Sequence, residues 1–199
     1  MVARIYGLTG SIGMGKSAVA AMLQKLDIPL YDADAEVHRL QGPGGDAVAA
    51  IEARFPGTTG PDGVDRKKLS AAVIGHPHEM KALEQIIHPM LRKRRADFLR
   101  RHRSRDFVVL DLPLLFETGG HRKLDGVIVV TAPAWKQRAR VLARSNMSPA
   151  KFRAILDMQV PDAVKRARAD YIIHTGATFH HTRSQVRRLV ACLRAKAGR

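Results

Sequence analysis

The sequence predicts an α/β fold built on a mostly parallel five-stranded sheet flanked by helices. Three observations carry this. Short runs rich in Val, Ile and Leu alternate with stretches of helical periodicity, the pattern of strands covered on both faces. The first such run leads directly into a glycine-rich turn and then a helical segment. With 199 residues, 45% of them hydrophobic, the chain is long enough for one core carrying insertions.

The first strand is expected over 2–8, where Val2, Ile5, Tyr6 and Leu8 supply the apolar positions, and the first helix over 17–26, with Val19, Met22, Leu23 and Leu26 on one face. A second strand reads over 28–32 (Ile28, Leu30, Tyr31), and the third only at 107–112, FVVLDL. The interval of about seventy-five residues between them far exceeds a crossover helix. It carries helical patterns over 34–41, 45–55, 65–75 and 79–103, the last broken at Pro89, with a turn-rich hinge over 55–63. An insertion of this size at the C-terminal edge of a parallel sheet belongs where a substrate is held, in the crevice beyond the strand ends. Strands at 126–131 and 170–174 complete the sheet. Between them lies a basic helical insertion over 134–168, in which Ser148-Pro149 caps a helix reaching about Met158.

The turn after the first strand, Gly10-Ser-Ile-Gly-Met-Gly-Lys16-Ser17, fits the phosphate-loop pattern G-x-x-x-x-G-K-[ST] at every fixed position. Strand, glycine turn and helix together aim backbone N–H groups and the positive end of a helix dipole at phosphate oxygens. Gly10, Gly13 and Gly15 allow the backbone to wrap closely round an anion. Lys16 is placed to neutralise β- and γ-phosphates, and the Ser17 hydroxyl to ligate Mg²⁺. The expected nucleotide contacts are therefore Gly10, Ser11, Ile12, Gly13, Met14, Gly15, Lys16, Ser17 and Ala18.

Directly after the second strand stands Asp32-Ala33-Asp34. In extended chain, residues i and i+2 point the same way, so both carboxylates are expected to face one cleft. Such carboxylates suit either the proton of an attacking hydroxyl or a Mg²⁺ ion; Asp34 alone would also serve as a helix N-cap. Asp34 is assigned as base and Asp32 as a contact to substrate or Mg²⁺-bound water. Asp111 ends the third strand, where phosphate-loop enzymes place a metal-oriented acid. Leu112-Pro113 follows it rather than a second acid, which argues against a nucleotide-hydrolysing motor. Pro113-Leu-Leu-Phe-Glu117 reads as an apolar wall for a substrate, led by Pro113 and Leu114, or as plain packing. In the second insertion, Arg140 and Arg144 are i, i+4 apart beside Arg138, so the pair is expected on one helix face toward the phosphates. His88 precedes the Pro89 break, where a kink and a substrate-facing imidazole are equally open.

Net charge is +16, concentrated over 81–105 and 183–199. Without interleaved aromatics or a nucleic-acid motif, the bland reading of solvated helix faces on a protein with polyanionic ligands is preferred to nucleic-acid binding. No N-K-x-D guanine-reading motif occurs. The single Cys192 removes disulfides and cysteine metal sites, and with no leader or long apolar run the expectation is a soluble cytoplasmic protein.

Taken together, Gly7-Leu-Thr-Gly-Ser-Ile-Gly-Met-Gly-Lys-Ser17, Asp32-Ala-Asp34, Ile87-His-Pro89, Pro113–Glu117, Arg140 with Arg144, Gln159 and Ala169-Asp170 resemble the bacterial dephospho-CoA kinases along nearly the whole chain. The resemblance implies a P-loop kinase that moves the ATP γ-phosphoryl group to the ribose 3′-hydroxyl of dephospho-CoA, with Mg²⁺, in the last step of coenzyme A synthesis. It implies a nucleotide core over 1–34, 105–133 and 169–199, a helical CoA-binding insertion over 35–104 and a helical lid over 134–168. It also implies Asp34, Lys16 and Arg140 as catalytic residues, Arg140 and Arg144 as ATP contacts, and Asp32, Asp34, His88, Pro113 and Leu114 as acceptor contacts. Three departures stand out: Ser11 and Met14 in the loop, Ala18 where the family has Thr, and His174-Thr175 where an acidic residue or Asn is common.

Overall fold

The computed structural model describes residues 2–198, so the expectations that run to residues 1 and 199 lie outside the described residues at those two positions. In chain order the elements are β1 (Arg4–Thr9), α1 (Lys16–Gln24), β2 (Leu30–Asp32), α2 (Ala33–Gln41), α3 (Val48–Arg54), β3 (Thr59–Gly60), β4 (Gly63–Val64), α4 (Arg66–Val73), α5 (Pro77–Arg101), β5 (Phe107–Asp111), β6 (Gly126–Thr131), α6 (Ala134–Leu142), α7 (Pro149–Asp157), α8 (Asp162–Ala167), β7 (Tyr171–His174) and α9 (Phe179–Ala197). They divide into two compact units, Met1–Tyr31 with His102–Arg199, and Asp32–Arg101.

The first unit holds the five-stranded sheet, ordered β2-β5-β1-β6-β7. β1 pairs in parallel with both β5 and β6, and β6 with β7. Leu8 lies level with Asp111 on one side and Ile128 on the other, so the turn after Thr9 emerges beside the end of β5. Every residue of β5 and β6 is buried, because helices and loops cover both faces. Along β6 the faces alternate. Ile128 and Val130 pack with Leu8, with Val19 and Leu23 of α1, and with Val186, Leu189 and Leu193 of α9. Val127 and Val129 pack instead on Leu115 and Phe116. Each such side chain contributes about 1.5–3 kcal/mol on full burial. The expected strand over 2–8 begins at Arg4, since its partner β5 starts opposite it at Phe107; Val2 is exposed.

The second unit is helical around Leu40, Ala47, Ile51, Phe55, Leu69, Val73 and Ile87. The turn-rich stretch expected as a hinge is a pinned hairpin. β3 and β4 pair antiparallel, and the Glu52 carboxylate accepts from the amides of Gly57 and Thr59 and from the Thr59 hydroxyl. Gly63 has φ 88, and a Cβ there would lie 2.3 Å from the Gln41 carbonyl oxygen, so no other residue fits. The break expected at Pro89 does not occur, for α5 runs through it. Proline removes the bond to the carbonyl four residues back, here Gln85, and crowds it, but both residues are on the exposed face, so that carbonyl is not left buried without a partner. His88 is exposed on this uninterrupted helix.

Candidate active site

The phosphate loop closes on α1 through glycine geometry. Gly15 caps the helix with φ 89, and no side chain takes that role. Gly13 has φ 77, and a Cβ on it would sit 2.4 Å from Val141 Cγ2; one on Gly10 would meet the Val130 carbonyl oxygen at 2.6 Å. Left-handed backbone and close approach together make these positions glycine-specific. The Met14 amide donates to Ser11 O and the Ile12 amide to Gln159 Oε1. The amides of Gly13, Gly15, Lys16 and Ser17 have no protein acceptor among the described residues, which leaves them free for an anion at the helix N-terminus.

The Lys16 ammonium pairs with the Asp111 carboxylate, whose side chain is 3% exposed. A buried carboxylate is costly unless paired, and here its partner is the lysine of the phosphate loop. Ser17 is exposed at the first turn of α1.

Three polar side chains from the later part of the chain fasten the loop. Gln137 Nε2 donates to Ile12 O at 2.8 Å, and Gln159 Oε1 accepts from the Ile12 amide at 3.0 Å. The buried Thr175 hydroxyl donates to Met14 O at 2.6 Å. Arg140 joins these parts, donating to Thr175 Oγ1 at 3.0 Å, Thr175 O at 2.7 Å and Gly13 O at 3.4 Å. Met14 is itself buried and accepts the Ala132 amide on its sulfur. Ala18, the missing hydroxyl, is half-buried at the start of α1. A cavity of about 420 Å³ opens beside Met14, lined by Pro133, Gln137, Asp162, Arg166 and His174 among others.

Arg144 lies beyond the end of the helix that carries Arg140. α6 ends at Leu142, and the Arg144 amide turns back to Val141 O, leaving its side chain exposed. The short helix stops because the chain must swing through Asn146, at φ 61, to reach the Ser148 cap of α7. Nor are Asp32 and Asp34 the same-facing pair expected of extended chain. Asp32 is the N-cap of α2, accepting the Ala35 amide at 2.9 Å, and Asp34 lies inside the first helical turn, exposed. Helical rotation of about 100° per residue replaces the two-residue alternation, and capping falls to Asp32, not Asp34. The stretch from Pro113 to Glu117 is also split. Leu115 and Phe116 are core, Leu114 is half-exposed, and Glu117 pairs with the wholly buried Lys165. Pro113 accepts from the Thr9 hydroxyl through its carbonyl.

Gln137 and the pairing of Glu117 with Lys165 went unread in the sequence. Gln137 carried a signal: with Val141 at i+4 it lies on the buried stripe of α6. Lys165 carried none, since lysine on a short helix ordinarily faces water. Thr175 was noticed only as a departure, yet its methyl-bearing side chain fills the space against Gly15 and its hydroxyl holds the loop.

Comparison with known proteins gives the family and the fold. The family model for dephospho-CoA kinase matches residues 4–180. The chain is 55% identical over 192 residues to a dephospho-CoA kinase of Novosphingobium aromaticivorans, covering 96% of each chain. It is 48% identical over 193 residues to one of Rhizobium meliloti, covering 96% of this chain and 98% of the relative. Among solved structures, TT1252 from Thermus thermophilus superposes with a TM-score of 0.84 at 32% identity, covering 96% of this chain and 98% of that one. The dephospho-CoA kinase from Campylobacter jejuni shares the fold, with a TM-score of 0.67 at 22% identity over 96% of this chain and 97% of that one. The chain belongs to the dephospho-CoA kinase family, the ATP-dependent kinases of the final step of coenzyme A biosynthesis.

Proposed function

We propose that this chain transfers the γ-phosphoryl group of ATP to the ribose 3′-hydroxyl of dephospho-CoA with Lys16, Asp34 and Arg140 as its catalytic residues. The observation that carries the reading is the phosphate loop with Lys16 paired to Asp111, within a chain of this family. The unpartnered amides of Gly13, Gly15, Lys16 and Ser17 take β- and γ-phosphate oxygens, and the Lys16 ammonium exchanges part of its contact with Asp111 for phosphate. Asp34 accepts the proton of the 3′-hydroxyl as that oxygen bonds to the γ-phosphorus and the bond to the β-γ bridging oxygen breaks, releasing ADP. Arg140, bracketed between Gly13 and Thr175, places its charge against the phosphoryl oxygens.

The donors suit Mg²⁺, a hard cation that takes few protein oxygens and completes its shell with phosphates and water. The exposed Ser17 hydroxyl and the buried Asp111 carboxylate are such oxygens. Ser17 and Asp111 would hold the ion, which would supply charge neutralisation to the phosphates of bound ATP. The helical unit Asp32–Arg101 is the acceptor-binding part in this reading, and the segment 134–168 the lid that excludes water. His88, Pro113 and Leu114 remain proposed acceptor contacts, and Arg144, at an exposed turn, a proposed ATP contact on lid closure. No helix among the described residues is long and apolar enough to cross a membrane, and the protein is read as cytoplasmic. Its excess positive charge is read as matching polyanionic substrates, with no role in binding nucleic acid.

The test is an acceptor panel. Purified protein with Mg·ATP is assayed for ADP release against dephospho-CoA, shikimate, gluconate and nucleosides. Dephospho-CoA is expected to be turned over and to yield coenzyme A by mass. Phosphorylation of another acceptor with none of dephospho-CoA sinks the reading.

A further inference from the structure

We propose that the buried pair of Glu117 and Lys165 is a positioning device for the phosphate loop, acting through Gln159 to set the affinity for ATP. It rests on the reading of this loop as the ATP site. Lys165 is 0% exposed on α8, and its Nζ lies 2.8 Å from Glu117 Oε1. The same carboxylate oxygen accepts the backbone amide of Val160 at 2.9 Å. Val160 adjoins Gln159 in the short turn between α7 and α8, and Gln159 Oε1 is the acceptor for the Ile12 amide in the loop. Gln137 holds the carbonyl of that same residue, so Ile12 is gripped at both of its backbone polar groups.

Glu117 also reaches the loop from the other direction. The segment it ends is fastened at its start by Asp111 to Lys16, and by Pro113 O to the Thr9 hydroxyl at 3.1 Å. One short stretch of chain thus ties the ammonium side of the loop to the turn that carries Gln159. Two routes converge on one loop.

The chemistry of the pair favours position over stability. Taking both charges out of water costs about as much as their attraction returns, so an apolar pair of equal volume is often as stable. Here the pair is further from optimal, since Glu117 Oε2 and Lys165 Nζ are both buried without a partner in hydrogen-bond geometry, close as the two charges are. What an apolar pair cannot do is accept the Val160 amide and hold the turn in register. A carboxylate anchored from behind by a buried ammonium does so with little freedom to rotate.

The experiment separates position from stability. Glu117→Leu combined with Lys165→Met makes the pair apolar; Glu117→Gln combined with Lys165→Met restores an acceptor for Val160 without the charge. Both are made alone and with Gln159→Leu, and the equilibrium Kd for a fluorescent ATP analogue is measured without acceptor, alongside the thermal midpoint and KM for each substrate. The apolar pair is expected to hold its thermal midpoint but weaken nucleotide binding about tenfold, the effect of one lost hydrogen bond. The Glu117→Gln combination should recover to within about threefold on the same scale. Adding Gln159→Leu to the apolar pair should weaken binding no further, because both changes act on one contact. Wild-type affinity in the apolar pair overturns the proposal, as does wild-type affinity in Gln159→Leu alone. Additive losses, about a hundredfold in the combination, overturn it too. Because Kd is read without acceptor, a failure of dephospho-CoA turnover would leave this result intact.

Discussion

The two units bury different kinds of residue. In the sheet unit Thr9, Ser11, Asp111, Gln137, Lys165 and Thr175 are all buried, each with a polar or charged side chain. In the unit Asp32–Arg101, Thr58 is the one buried polar residue among those described, and the other buried side chains are aliphatic apart from Phe55 and Phe98. Burying a polar group is unfavourable unless its partners are in place. In the sheet unit three of these buried groups, Asp111, Gln137 and Thr175, direct their bonds at the phosphate loop, while Thr131 bonds to Asp162 and Lys165 pairs with Glu117. Ion pairs of the helical unit, among them Arg54 with Glu79 and Arg94 with Asp46, are partly exposed, where such pairs contribute about 0–1 kcal/mol, although Glu79 Oε2 is buried without a hydrogen-bond partner.

That contrast predicts where function and stability separate. The largest effect is expected from Asp34→Asn, which should leave nucleotide binding intact and lower kcat by about 10²–10⁴ if Asp34 is the base. Single-turnover kinetics check it, and unchanged turnover would reduce Asp34 to a residue of the first turn of α2. Next, Ile51→Ala in the helical unit should cost about 2–5 kcal/mol of stability while the Kd for ATP stays within twofold of wild type; urea denaturation and nucleotide titration read the two separately. A large loss of ATP affinity there would erase the distinction between the units.

The smallest effect is a pH dependence. Burial pushes the Glu117 carboxyl up, but the adjacent Lys165 ammonium and the amides of Glu117 and Val160 outweigh it, and the group sits below the usual glutamate value. A depressed carboxyl stabilises the fold above its unfolded value, about 4.3, and that contribution disappears as pH falls through the lower folded value. The stability advantage of wild type over Glu117→Gln should be full at pH 6 and shrink on acidification below about 4.3. Urea midpoints at several pH values measure it, and a constant difference would contradict the ionic pairing.

Much of the fold was legible because its signals are local. Five apolar runs, the glycine turn and the Ser148 cap each depend on a few adjacent residues, and their strands and helices stand within a few positions of expectation. The errors arose where neighbours in space decide. Pro89 looked like a break, yet an exposed carbonyl at Gln85 lets α5 continue. Arg140 and Arg144 looked like a helix pair, yet the turn through Asn146 ends α6 between them. Asp32 and Asp34 looked like neighbours in extended chain, yet Asp32 accepts the Ala35 amide as the cap of α2 and Asp34 lies within its first turn.

By itself the amino-acid sequence determined the phosphate loop, the parallel sheet that presents it and the family to which the chain belongs. These rest on backbone geometry that glycine, β-branched residues and helix caps impose on their own surroundings. Tertiary structure alone decided what holds the loop: Asp111 on Lys16, Gln137 and Gln159 on Ile12, Thr175 on Met14, and Glu117 with Lys165 behind them. Those partners lie about 95 to 160 residues from the loop, and no periodicity records such separations. The low dielectric of a folded interior makes each unpaired group costly enough to select its partner, and that interior exists only once the chain has folded.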